Sequence, residues 1–148
     1  MNKISYKPDG YQSVIPYLHA TGARNLIAFM KEVFDAQEIA IYPRPDGTVG
    51  HAALRIGDSV IELADVSSEW PAMPCAMQVY VPGTDAAYHR ALKAGASSLL
   101  PPATQFYGDR TASVRDSLGN NWYIATQIEV VSREEVDKRI AAMSQNKG

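Results

Sequence analysis

One order of elements, a strand, a helix and three further strands, can be read twice along this chain, on either side of a stretch rich in proline and serine. Each half must bury the apolar face of a small sheet under one helix, which restricts the chain to layered architectures. In the first half, residues 12–20 (QSVIPYLHA) mix apolar and β-forming types and predict a strand. Residues 23–34 (ARNLIAFMKEVF) follow a helical period. Leu26, Ile27, Met30, Val33 and Phe34 fall on one stripe, with Arg24, Lys31 and Glu32 off it. Residues 37–44 (QEIAIYPR) predict a strand that stops at the turn Pro45-Asp46-Gly47. TVGHAALRI and SVIELAD, residues 48–56 and 59–65, flank Gly57-Asp58, a two-residue hairpin connection.

Residues 66–74 (VSSEWPAMP) read as a linker, after which the order restarts. AMQVYVPG predicts a strand, and TDAAYHRALKAGA a helix with Thr84 as its N-cap and Gly95 at its end. SSLLPP is a short strand, followed by a loop through Arg110. TASVRD and NNWYIATQIE are strands around Ser117-Leu118-Gly119-Asn120. A last helix starts at Ser132, with Glu135 completing a capping-box pattern, and covers about residues 133–143. Its Val136, Ile140 and Met143 recur at helical spacing and suit a packing or dimerisation arm. The expected fold class is α+β: two tandem β-α-β-β-β modules forming a barrel-like pair. Module 1 spans residues 12–65, module 2 residues 75–130, in a single domain of 148 residues.

Strand alternation sorts the side chains. A two-residue turn at Gly57-Asp58 pairs Arg55 with Val60 and Ala53 with Glu62. One face then carries Ala52, Leu54, Ile56, Ile61 and Leu63. The other carries His51, Ala53, Arg55, Val60, Glu62 and Ala64. In the second half Ala112, Val114, Trp122 and Ile124 share one face, and Thr111, Ser113, Arg115, Asn121, Tyr123 and Gln127 the other. A carboxylate in a strand must meet water, a cation or a ligand, so Glu62 draws attention at once. Its alternatives are a ligand contact or base, or a pairing with Arg55 or His51 across the hairpin. Faces of this mixed kind line semi-polar clefts, the usual sites of small ligands.

Composition excludes several functions. The formal net charge of -2 gives no basic field for nucleic acid or an anionic membrane. Cys75 is the only cysteine, so no internal disulfide or Cys/His zinc spacing exists. MNKISYKPDG lacks the apolar run of a signal peptide, and no stretch approaches membrane-spanning length, so a cytoplasmic protein is expected. No GxSxG, P-loop or GxGxxG motif occurs.

The stretches VIPYLHATGARNLIAFMKEVFDAQE, PDGTVGHAALRIGDSVIELAD and YGDRTASVRDSLGNNWYIATQIEVVSREEV resemble the vicinal oxygen chelate superfamily of glyoxalases, bleomycin-resistance proteins and dioxygenases. The likeness is greatest to its PhnB-like branch. That resemblance implies the paired-module fold and a homodimer. It also implies a metal site with one ligand on the first and one on the last strand of each module. Those places fall on Ile15, Glu62, Ala76 and Tyr123, of which only Glu62 is a good ligand. The expectation is therefore a protein without a metal cofactor. It would bind a small organic molecule, cationic or antibiotic-like, through Tyr17, His51, Glu62, Gln78 and Tyr123. The alternative is a lyase, isomerase or dioxygenase using one divalent metal ion displaced to His19, His51 and Glu62. Whether the chain is an enzyme stays open. Tyr80 is expected on the cleft side, and Phe106 and Tyr107 as a lid. Trp70 is expected over the cleft or a dimer contact, and Asp109 and Arg110 to pair with each other or with Asp116.

Overall fold

Turn chemistry and periodicity place the elements close to where a computed structural model, describing residues 4–146, has them. The chain divides between Cys75 and Ala76 into two units. The first holds β1 (Tyr17–Ala20), α1 (Ala23–Phe34), β2 (Gln37–Pro43), β3 (Val49–Ile56) and β4 (Ser59–Asp65). The second holds β5 (Ala76–Tyr80), α2 (Thr84–Lys93), β6 (Ser97–Thr104), β7 (Asp109–Arg115), β8 (Asn121–Gln127) and α3 (Arg133–Gln145). The fold class is thus α+β, with two tandem β-α-β-β-β modules. Each has a four-stranded mixed sheet, ordered β1-β4-β3-β2 and β5-β8-β7-β6, and neither sheet closes on itself. Among the described residues no helix is long and apolar enough to cross a membrane.

The hairpin register is the one that the two-residue turn requires. Ala53 faces Glu62, Leu54 faces Ile61 and Arg55 faces Val60. In the second unit Ser113 faces Tyr123 and Val114 faces Trp122. The apolar faces pack under the helices. Leu26, Met30 and Val33 of α1 are buried with Leu54 and Leu63, and Ala87 and Ala91 of α2 with Val114 and Ile124. Helix α3 buries none of its residues, and Ile140 and Met143 are exposed. Its N-cap is as expected, with Ser132 Oγ accepting from the Glu135 N–H at 3.1 Å.

Three expectations are corrected. The strand foreseen over residues 12–20 is confined to Tyr17–Ala20. Pro16 accepts from the Glu62 N–H through its carbonyl, but the chain then leaves the sheet. The Gln12 side chain takes over the ladder, its amide donating to the Val60 carbonyl at 2.6 Å and accepting from the Val60 N–H at 3.0 Å. β6 and β7 extend into the stretch expected to be loop, leaving only residues 105–108 between them. Thr84 is the first residue of α2, not its cap, which is Gly83. The Thr84 hydroxyl instead meets the Arg110 carbonyl and the Thr126 hydroxyl, each at 2.8 Å.

Asp65, the last residue of β4, ties the first module together. Helix α1 begins at Gly22 in a left-handed conformation (φ 92°) that suits glycine, which has no side chain to cap it. Asp65 Oδ1 accepts from the Gly22 and Ala23 N–H groups at 3.0 and 2.8 Å, and Oδ2 from the Val49 N–H at 2.7 Å. Burial alone would raise this carboxyl. The N–H bonds from Ala23, Val49 and Gly22, with the nearby Arg44, instead hold it below its ordinary value. We expect Asp65→Asn to lower stability by about 3 kcal/mol in urea unfolding at neutral pH, because Val49 N–H would face an amide N–H₂. A depressed carboxylate contributes above its unfolded pKa of about 4, and the contribution is lost as pH falls through the folded value. The gap between wild type and variant therefore narrows in acid; a gap independent of pH would contradict this role.

Candidate ligand-binding site

The second face of the first sheet is neither core nor plain surface. Ala53, Val60 and Ala64 are buried, while His51 and Glu62 are partly exposed. Aromatic rings stand over it in a continuous run. Trp70 stacks on His19 with centroids 5.6 Å apart and planes 10° apart. His19 meets Tyr17 at 5.1 Å, Tyr17 meets His51 at 5.8 Å, and His51 stacks on Tyr42 at 6.2 Å. Register explains the run: Tyr42 lies opposite His51 across β2 and β3, and His19 opposite Ala64 across β1 and β4. Small Ala64 leaves the gap between rings that the larger neighbours frame. Trp70, which the sequence left between a cleft cover and a dimer contact, lies over His19.

Three of the expected residues meet here. Tyr17 lies beside Glu62 in the parallel β1–β4 pair. Its hydroxyl is 3.1 Å from His51 Nδ1, and His51 Nε2 is 3.9 Å from Glu62 Oε2. Burial raises the Tyr17 phenol above its ordinary value, the Glu62 carboxylate raises it further, and Arg44 offsets part of this. Tyr17 is therefore a neutral donor near neutral pH. A hydrogen bond donated by this phenol to Nδ1 goes with the His51 tautomer that carries its hydrogen on Nε2, the nitrogen turned to Glu62. Arg55 is not the partner of Glu62, since its guanidinium donates to the Gly10 carbonyl at 2.9 Å.

A cavity of about 410 Å³ opens beside this group, with Tyr17, His19, Trp70 and Arg44 around Gly50 and Ala64. Asp65 also lines it. Arg44, which sequence reasoning missed, reaches in from the turn after β2 and donates to the Asp65 and Val66 carbonyls at 3.0 and 3.3 Å. Gly50 gives this packing its room. A Cβ there would come within 3.2 Å of both Arg44 Cγ and the Tyr42 carbonyl oxygen. The missed signal was the pairing of a bulky Arg with a glycine in the adjoining strand.

Gln78 and Tyr123 lie in the second unit, side by side in the parallel β5–β8 pair. They line a cavity of about 360 Å³ in that unit with Gln105, Tyr107, Thr111 and Ser113. Gln105 donates to the Thr111 hydroxyl at 3.0 Å, and the cavity carries no charged side chain. Tyr107, expected with Phe106 as a lid, is one of the residues that line this cavity. Phe106 packs edge-on against Tyr107, and its carbonyl accepts from Arg139 of α3. Two pairings differ from expectation. Arg110 forms a forked ion pair with Asp85 of α2, both bonds 2.9 Å. Asp109 accepts from the Tyr80 hydroxyl at 2.8 Å. That bond, with burial second, raises the Tyr80 phenol above its usual value.

The superfamily's metal does not fit this donor set. Ile15 and Ala76 have no ligating atom. The residues that actually pair with Glu62 and Tyr123 are Tyr17 and Gln78. A tyrosine ligates well as phenolate, the form that burial and Glu62 disfavour at Tyr17. Among the described residues no three His, Cys, Asp or Glu side chains gather as a metal ion needs, so His19, His51 and Glu62 form no such set.

Residues 21–124 match the family described as Glyoxalase/Bleomycin resistance protein/Dioxygenase superfamily. An uncharacterized protein of Mycobacterium bovis is 34% identical over 140 residues, covering 87% of this chain and 90% of its own. Among solved structures, TioX from Micromonospora sp. ML1 superimposes with a TM-score of 0.66 at 23% identity, over 79% of this chain and 99% of its own. The PhnB protein of Bacillus cereus gives 0.60 at 19% identity, over 78% and 99%. These likenesses extend the fold class to the family's fold.

The Tyr17 geometry has a measurable consequence. Removing the neighbouring charge makes a phenolate less costly, so Glu62→Gln moves the Tyr17 pKa down toward its ordinary value. Ring-carbon NMR titration of Tyr17 reads this directly, and an unchanged or upward pKa would show that Glu62 does not act on the phenol.

Proposed function

Since the chain belongs to the Glyoxalase/Bleomycin resistance protein/Dioxygenase superfamily, we propose that it binds a small planar organic molecule without the superfamily's metal, as a member of the PhnB-like branch. The single observation behind this reading is the run of rings from Trp70 through His19, Tyr17 and His51 to Tyr42. Three of these are exposed: Trp70 at 60%, Tyr42 at 63% and Tyr17 at 43%. Aromatic side chains offer large contact area with little rotamer freedom to lose, and an open run of them beside a cavity favours a flat ligand. The branch assignment draws on the stretches HAALRIGDSVIELAD and YGDR, and the Bacillus PhnB protein shares the fold.

Trp70 gives a reporter, because the other tryptophan, Trp122, is fully buried. Chelator-treated protein titrated with the neutral bicyclic 2-naphthylmethanol is expected to bind it, read by calorimetry and by the indole resonance of Trp70. Tyr17→Ala should weaken binding about threefold to tenfold, the scale of one aromatic contact. Binding that appears only when zinc or manganese is restored would overturn metal independence and favour the metal-dependent enzyme.

A further inference from the structure

Resting on that binding reading, we propose that the cavity around Gly50 and Ala64 takes an organic anion, a carboxylate carried on a flat ring, with Arg44 as its anchor. The expectation of a cationic ligand came from Glu62, and Glu62 does not line this cavity whereas Arg44 does. Arg44 donates from Nη2 to the Asp65 carbonyl and from Nη1 to the Val66 carbonyl and the Thr48 hydroxyl. A guanidinium has five donors in a planar fork, so these bonds spend at most three. Among the described residues no acceptor meets its Nε–H. That nitrogen lies against Gly50, 3.9 Å from where a Cβ would be. All of the acceptors already used are neutral oxygens. They orient the guanidinium without an ion pair, the Asp46 and Asp65 carboxylates acting on its charge only through space, and they leave the Nε edge for an incoming carboxylate.

Asp65 is the one acidic side chain in the lining, and its negative charge is already engaged. Both oxygens accept backbone N–H bonds, two of them from the N-terminal end of α1, where the helix dipole is positive. It offers little to an amine. The remaining groups are rings: Tyr17, His19 and Trp70. His19 Nδ1 is buried with no hydrogen-bond partner, which is unfavourable in the empty protein. Only an acceptor that reaches it in the plane of the imidazole ring, not over its stacked face, would satisfy it when Nδ1 carries the proton. The equivalent cavity of the second module makes a useful contrast, because Gln105 stands in the turn position corresponding to Arg44. Each residue's N–H bonds the carbonyl four positions on, Thr48 and Asp109, at 2.7 Å. Only the first cavity has the cation.

The test is a matched series on one ring: 2-naphthoate, 2-naphthylmethanol and 2-naphthylmethylamine, titrated calorimetrically into the whole chain. The acid is expected to bind about tenfold tighter than the alcohol, the amine weaker than either. Arg44→Gln should erase the advantage of the acid, bringing acid and alcohol within about twofold of each other. Should that variant fail to fold, wild type decides the matter. At about 1 M salt, where the screening length is about 3 Å, the acid loses most of its advantage and the alcohol does not change. The proposal is overturned if the amine binds tightest, if the acid keeps its advantage in Arg44→Gln, or if salt leaves it untouched. Binding of the alcohol without any preference for the acid defeats this proposal alone. Failure of all three compounds defeats the planar-ligand reading and the anion with it.

Discussion

The first module depends on one carboxylate. Asp65 ends the central strand β4 and satisfies the N–H groups of Gly22, Ala23 and Val49, so helix, strand and neighbouring strand meet at its two oxygens. Gly22 is needed where the chain turns from β1 into α1 with positive φ, but a glycine cannot cap the helix itself. The cap is supplied from the neighbouring strand, where Asp65 lies beside Ala20. Arg44 then grips the Asp65 and Val66 carbonyls, and the mouth of the cavity is built on the same knot. Stability and ligand site are in this way mechanically joined.

The second module solves the same junction with neutral chemistry. Gly83 stands before α2 as Gly22 does before α1, and Thr126 follows Ala125 as Asp65 follows Ala64. The hydroxyls of Thr84 and Thr126 meet each other there, with the Val81 and Arg110 carbonyls as acceptors. A separate carboxylate, Asp116, organises the β7–β8 turn, accepting from the Leu118 and Asn120 N–H groups and from the Trp122 indole. The repeated backbone therefore does not require repeated side chains. It requires only that every buried donor at each junction finds an acceptor.

That distinction explains what the sequence could and could not disclose. Helix α1, the Gly57-Asp58 hairpin and the face on which Glu62 lies were legible, because periodicity and turn geometry are local properties. The meeting of Tyr17, His51 and Glu62 followed from that register. Arg44 was not legible. It stands next to a turn, where arginine is ordinarily solvated, and its role arises from Gly50 in the adjoining strand and from carbonyls beyond the end of β4. The short β1 was also hidden, because a glutamine side chain replacing a strand's backbone leaves no periodic trace. Arg110 reached Asp85 on α2 and not its neighbour Asp109, since adjacent strand residues point to opposite faces.

The chemistry of the site follows from where charge survives the divergence of the two modules. At matching positions Tyr17 stands against Gln78, His19 against Tyr80, Glu62 against Tyr123, and Arg44 against Gln105. Apart from the two tyrosines Tyr80 and Tyr123, every ionisable side chain in these pairs belongs to the first module. Both cavities keep an alanine from the strand paired to the module's first strand, Ala64 in one and Ala125 in the other, so both keep room. Room without charge favours neutral, hydroxyl-rich contacts of low strength. Room beside a fixed guanidinium and a row of rings gives a ligand both an orientation and a sign. In the first module the fixed charge beside the row of rings is Arg44, held by carbonyls at the rim of its sheet.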